Sequence, residues 1–236
     1  IRRILLVVCL AIFLYSAGNL GMIGYKYYKL DHDNKMLQEE VIQEPKKDSP
    51  LDRKINFNTL KNINEDIIGW IYIPDTNIDY ALLKGKTNDT YIHTNYEKKY
   101  SFGGSIFVDE DNNASLTDAN TIIYGHNMKN GSMFANIKKF KDKDFFEQHP
   151  DVYIYLPDGS INVYSIYSTK IIDATSDYYL KDVDYASYVQ KAKSNAYQSR
   201  DVDMNNSAPL IMLSTCYAHD QPSRSVLFAR LTKNVK

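Results

Sequence analysis

The chain has 236 residues, room for one generous domain with appendages. Apolar residues make up 44% and charged residues 24%, ordinary values that exclude a wholly disordered chain. Lys and Arg number 28 and Asp and Glu 29, so the net charge is −1, which argues against a nucleic-acid binder because such proteins carry a basic excess.

The chain opens on Ile1 rather than Met, and a few residues are expected to precede it. Ile4 to Gly24 is an uncharged apolar run. As a helix it would be about 30 Å long, the thickness of a bilayer core. Arg2 and Arg3 precede it, which by the positive-inside rule puts that end in the cytoplasm. Tyr25, Tyr27 and Tyr28 then fall at the outer interface, as aromatic belts do. A cleaved signal peptide would have a shorter apolar core and a small-residue cleavage site. This run is longer and passes into Tyr25-Lys26-Tyr27-Tyr28-Lys29 without one. The reading is an uncleaved, single-pass signal anchor over residues 4–24, with 1–3 as a cytoplasmic stub and the body outside the membrane.

From Asp31 to Asp52 the composition turns charged and includes Pro45 and Pro50. Asn34–Gln43 is expected to form a short helix, and residues 25–54 read as a stalk or linker holding the body off the membrane. The body, residues 55–236, reads as mainly β with added helices. Asn58–Asp66 is expected as a short helix. Ile68–Ile73 and Ile78–Leu83 read as strands around the turn Pro74-Asp75-Thr76-Asn77. Ser105–Val108 and Thr121–Tyr124 are short apolar runs between turn residues. Val152–Leu156 and Ile161–Ile172 flank the hairpin signal Pro157-Asp158-Gly159. Tyr179–Ser199 is the one long helical candidate. Leu210–Ser214 and Ser225–Leu231 complete the strands. Seven or eight short strands so spaced imply a closed barrel or a sandwich.

Two cysteines are present, and Cys9 lies in the apolar run, so Cys216 is the only thiol of the body. Outside the cell a lone thiol risks oxidation, and as a buried residue it would act as a small hydrophobe. Its context favours a nucleophile: Cys216 ends the apolar run Pro209–Thr215 and polar residues follow, which places the thiol at a strand end. A thiol attacks as thiolate and needs a general acid and oxyanion donors. His32 lies in the stalk, and His149 before Pro150 reads as surface. His219 sits on the loop after Cys216, and His93 follows a helical turn. His126 follows the strand Thr121–Tyr124, so a strand end presents it. Arg224 opens the last strand, where a guanidinium can pair with an oxyanion.

Leu213-Ser214-Thr215-Cys216 followed by Arg224 resembles the active-site signature of sortases. Ile123-Tyr124-Gly125-His126-Asn127-Met128 with Gly131-Ser132-Met133-Phe134 is similar to their histidine segment. Gly69-Trp70-Ile71-Tyr72-Ile73-Pro74 and Gly104-Ser105-Ile106-Phe107 resemble pieces of class B members, as does the long helix candidate before the cysteine strand. Two positions depart from the pattern. Met212 stands where the family usually has Thr, and Ala81 where many class B members have Pro.

The resemblance implies a closed seven- or eight-stranded sortase-type β-barrel and a membrane-anchored cysteine transpeptidase of Gram-positive bacteria. Cys216 would attack the Thr carbonyl of a C-terminal sorting signal and form a thioacyl intermediate. His126 would protonate the leaving amide nitrogen and then deprotonate the incoming amine. Arg224 would steady the oxyanion, with the backbone N–H of Tyr217 as a second donor. Implied partners are surface proteins whose pentapeptide has Pro second and Thr fourth, and a peptidoglycan precursor amine. Asn88, Ile92, Thr175, Tyr179, Leu180 and Ser214 would line the substrate groove. No metal or organic cofactor is implied.

Rival readings are a surface-anchored cysteine protease acting only as a hydrolase and a non-enzymatic stalked adhesin. Papain-like chains place the Cys early and the His downstream, the reverse of the order here. No C-x₂-C or H-x₃-H pairing suggests zinc, and Asp109-Glu110-Asp111 lacks the spacing of a calcium loop.

Overall fold

The computed structural model describes residues 2–43, 49–204, 206–216 and 222–236. Eight strands carry the fold: β1 (Ile67–Tyr72), β2 (Asp79–Lys84), β3 (Ile106–Val108), β4 (Asn120–Tyr124), β5 (Asp151–Tyr155), β6 (Ile161–Asp173), β7 (Leu210–Cys216) and β8 (Ser223–Val235). Hydrogen-bonded neighbours run β8-β7-β4-β3-β2-β1-β5-β6, and β6 pairs again with β8. The sheet therefore closes into an eight-stranded barrel, and closure removes the long free edges. β2 with β3 and β4 with β7 run parallel.

The strands around the cysteine are buried on both faces, which is why they read as near-continuous apolar runs. Ile211 and Leu213 of β7 share the main core with Ile123, Ile106 and Leu227. The alternate residues Leu210 and Met212 pack with Ile122, Val226 and Phe228 in a separate layer. That layer is roofed by Tyr178, Tyr188, Val189 and Ala192. Met212, one of the two departures noted above, is fully buried there, and Tyr188 donates its hydroxyl to the Met212 sulfur at 3.9 Å.

Among the described residues four α-helices accompany the barrel: α1 (Arg2–Val41), α2 (Phe57–Ile63), α3 (Lys143–Gln148) and α4 (Tyr185–Lys193). Three differ from the sequence reading. The expected short helix Asn34–Gln43 is the end of one continuous helix of 40 residues. Its first half is exposed, and by length and composition it can cross a membrane. Its second half is docked: Leu30, Leu37 and Val41 are buried against the barrel. Gln38 donates to the Asp79 carbonyl at 2.7 Å and Tyr96 donates to the Asp33 carbonyl at 2.9 Å. Residues 30–41, read above as part of a linker, thus belong to the folded body.

The long helix expected over Tyr179–Ser199 is shorter. A 3-10 turn covers Asp177–Tyr179, and α4 begins only after Asp184, whose side chain accepts the Ser187 N–H. The helix stops at Ser194, and Asn195 takes φ 54°, a left-handed terminus. Gln198 and Ser199 then form a short ladder on β6. Residues 135–148, given no structure above, form a 3-10 helix and α3. His149, read as surface, is instead buried: it stacks on Phe145 at 3.9 Å, and its Nδ1 pairs with the Phe145 carbonyl at 2.7 Å.

Two predictions arise here. A chain beginning at Ile42 loses Leu30, Leu37 and Val41 from the core, at about 1.5–3 kcal/mol for each buried side chain. It should unfold at clearly lower urea than a chain beginning at Lys26, and equal midpoints would show that the docked half of α1 adds nothing. The second concerns a buried ion pair. Arg53 forks onto Asp79 at 3.0 and 2.6 Å, Trp70 donates to the same carboxylate at 2.6 Å, and the guanidinium lies 4.5 Å over the Tyr72 ring. Asp79→Ala leaves that cation buried without its carboxylate and should cost about 3–5 kcal/mol. A thermal unfolding midpoint near wild type would contradict it.

Candidate active site

Register alone brings the candidate groups together. Cys216 on β7 stands directly opposite Arg224 on β8. Directly opposed residues of an antiparallel pair have Cβ atoms about 4.5–5.5 Å apart on one face. Ser214, two residues back on the same face, aligns with Tyr124 of β4. The Gly125 N–H donates to the Ser214 carbonyl at 3.2 Å, so the chain leaves β4 still held to β7 just before His126. Phe107 of β3 stands opposite Tyr124.

These residues open into one cleft of about 200 Å³. His126, Cys216 and Arg224 line it, joined by Asn88, Ile92 and Ser214 of the predicted groove residues. The cleft also takes Phe107, Tyr124, Gly125 and Thr215, quoted above as motif residues but not as groove residues, and Asp89, which the sequence reading did not name. Period-two spacing from His126 and Cys216 would have found Tyr124. Asp89 and Phe107 reach the cleft only through tertiary packing.

Each wall has a physical support. Cys216 is partly buried at the end of β7. Nε2 of His126 lies 2.7 Å from the Ile92 carbonyl oxygen, and the His93 ring stacks on its imidazole. Arg224 donates from Nη1 to the Ser223 carbonyl at 3.3 Å. Asn88 is engaged through both side-chain atoms: Oδ1 accepts the Glu110 N–H and Nδ2 donates to Asp109. Tyr124 also donates to Asp109, at 2.8 Å. Burial, reinforced by the Asp109 charge, pushes the Tyr124 hydroxyl pKa up, so it remains a neutral donor.

Of the remaining predicted residues that the structure describes, Thr175, Tyr179 and Leu180 are not part of the cleft lining. Tyr179 shares a hydrogen bond with the Ser214 hydroxyl at 2.8 Å and stacks on Tyr124, centroids 6.1 Å apart. Burial raises its pKa as well. Asn120 fixes this segment from beneath by donating to the carbonyls of Tyr178 and Leu180. The Leu180 side chain is exposed. The Thr175 hydroxyl and N–H both bond the Asp173 carboxylate and hold it below its ordinary pKa. Tyr217 and His219 lie outside the described residues.

The acidic run Asp109-Glu110-Asp111 is knitted into this loop network. Glu110 accepts the Asn88 N–H, and Asp109 accepts the Asp111 N–H besides Asn88 and Tyr124. Among the described residues no group of three or more His, Cys, Asp or Glu is gathered to hold a metal ion.

Comparison with known proteins identifies the family. The sequence profile of the Sortase domain matches residues 71–232. Sortase B of Listeria monocytogenes is 35% identical over 225 residues, covering 90% of this chain and 88% of that protein. The crystal structure of Clostridium perfringens sortase B superposes with a TM-score of 0.70 at 36% identity, covering 75% of this chain and 100% of that one. The Staphylococcus aureus sortase B–substrate complex gives a TM-score of 0.70 at 28% identity, covering 75% and 84%. The chain therefore belongs to the sortase family, as an enzyme of the sortase B type.

Proposed function

We propose that the chain is a transpeptidase that cleaves a C-terminal sorting signal after Thr and joins the secreted protein to a peptidoglycan precursor amine. The observation that carries the reading is the meeting of Cys216, Arg224 and His126 from three strand ends in one open cleft. In the first half-reaction Cys216 Sγ bonds to the Thr carbonyl carbon and the C–N bond breaks. His126 gives its proton to the departing nitrogen. In the second, the acceptor nitrogen bonds to the same carbon, the C–S bond breaks, and His126 takes a proton back. Arg224 donates to the oxyanion formed in each step. The thioester conserves the bond energy, so acyl transfer needs no further energy source.

Asn88, Ile92 and Ser214 line the groove for the peptide, with Thr175, Tyr179 and Leu180 along its margin and the Tyr217 N–H as a second oxyanion donor. The substrates are surface proteins whose signal has Pro second and Thr fourth. The exposed apolar half of α1 supports a single-pass membrane anchor with the barrel on the outer side.

Mass spectrometry tests the reaction. The protein in detergent micelles is incubated with a peptide library and a small primary amine. The expected product ends in Thr joined to the amine by an amide bond. Free Thr acid alone would favour the hydrolase, and no cleavage of any member would remove the enzymatic reading. Topology has its own test: protease added to intact protoplasts should digest the barrel. Recovery of the body in culture medium with a new N-terminus near Gly18 would reject the anchor.

A further inference from the structure

His126 is gripped by two consecutive residues of one loop. Its Nε2 meets the Ile92 carbonyl oxygen at 2.7 Å. The His93 ring lies across it, centroids 5.5 Å apart and planes 15° from parallel. A carbonyl oxygen only accepts, so Nε2 carries the hydrogen.

Hydrogen bonds tie the loop down where it does this. Ser105 donates its N–H to the Tyr91 carbonyl, Ser101 its N–H to the His93 carbonyl, and the Ser105 hydroxyl bonds the Thr94 carbonyl. Gly104 takes φ +57°, and a Cβ there would lie 2.3 Å from the Ile92 oxygen. Glycine is required at that position both for its backbone conformation and for the space it leaves. The Ile92 carbonyl is thus wedged between Gly104 and the imidazole. Tyr100 backs the stack, its ring 6.4 Å from that of His93.

We propose that the Ile92 main-chain carbonyl is the orienting partner of His126, standing where a carboxylate stands in a Ser-His-Asp triad, and that His93 is the positioning residue that holds the ring against it. A third group in such sites fixes the tautomer and the ring orientation. A neutral carbonyl supports the imidazolium less than a carboxylate does, but it fixes the same atom. With Nε2–H committed to Ile92, Nδ1 is the nitrogen that exchanges the reacting proton. It releases that proton to the departing amide nitrogen and regains one from the acceptor amine. The kinetic consequence rests on the transpeptidase reading above, whereas the tautomer does not.

The test uses the full chain in detergent micelles, labelled with nitrogen-15 histidine, and His126→Gln to assign the signal. At alkaline pH the His126 signal should show the Nε2–H tautomer, and an Nδ1–H tautomer would overturn the proposal. His93→Ala should mix the tautomers and lower kcat about tenfold, a modest case of misplacing a catalytic group. KM should change less than about twofold, because the loss falls on the reaction step. His93→Phe keeps a flat ring and should restore the tautomer and most of kcat. A His93→Ala enzyme with wild-type tautomer and kcat, or a His93→Phe enzyme no better than His93→Ala, would end the positioning role. Absence of turnover in the wild type would refute the transpeptidase reading alone, since the tautomer signals still decide this one.

Discussion

Cys216→Ala is expected to abolish cleavage of a sorting peptide while the barrel survives almost unchanged. Only one heavy atom is lost. The residue sits partly buried at the end of β7, and its backbone pairing with Arg224 does not depend on the sulfur. The change in stability should stay within about 1 kcal/mol. Turnover is a different matter, because no other thiol is present in the body. Removing the nucleophile from a site that works as a unit costs on the order of 10⁶-fold. Peptide cleavage and thermal unfolding, measured on the same preparation, separate the two effects. Cleavage that persists in a folded Cys216→Ala protein would sink the cysteine mechanism.

Arg224→Lys is expected to lose at least ~10²-fold in kcat, the scale of removing one oxyanion donor. Arg224 faces Cys216 directly across the β7–β8 ladder and lines the same cleft. Lys keeps the charge but replaces a planar fork with a point charge on a flexible stem. Peptide binding should weaken less than kcat falls, because the directional bonds matter most when the oxyanion forms. An ordinary exposed strand-start Arg would shift stability by under about 0.5 kcal/mol and leave turnover alone. Near wild-type kcat in a folded Lys variant would remove Arg224 from the chemistry and leave a Cys–His dyad with a backbone oxyanion hole.

The barrel was legible because its strands are short apolar runs cut by strong turn signals. Pro157-Asp158-Gly159 marked the β5–β6 hairpin, and both strands form beside it. The docked half of α1 was not legible in the same way. Leu30, Leu37 and Val41 are sparse apolar residues in a charged segment, and their burial depends on a barrel surface far along the chain. Their spacing of seven and then four residues is the one local sign of a buried helical stripe. The helix expected over Tyr179–Ser199 was overstated because Asp184 and Ser194 act as ends rather than interior residues. Within the cleft, Cys216, His126 and Arg224 stood out because each follows or opens an apolar strand. The Ile92 carbonyl left no trace in the sequence, since a main-chain acceptor has no side-chain signature. Only the loop geometry around Gly104 brings it to the imidazole.

The most direct test of the central claim is the mass of the enzyme itself. The full chain in detergent micelles is mixed with a sorting peptide, without an amine acceptor, and quenched in acid. A thioacyl adduct equal to the peptide fragment ending in Thr should appear, map to Cys216, and disappear on addition of a primary amine. Cleaved peptide accumulating with Cys216 unmodified at every time point would contradict covalent catalysis.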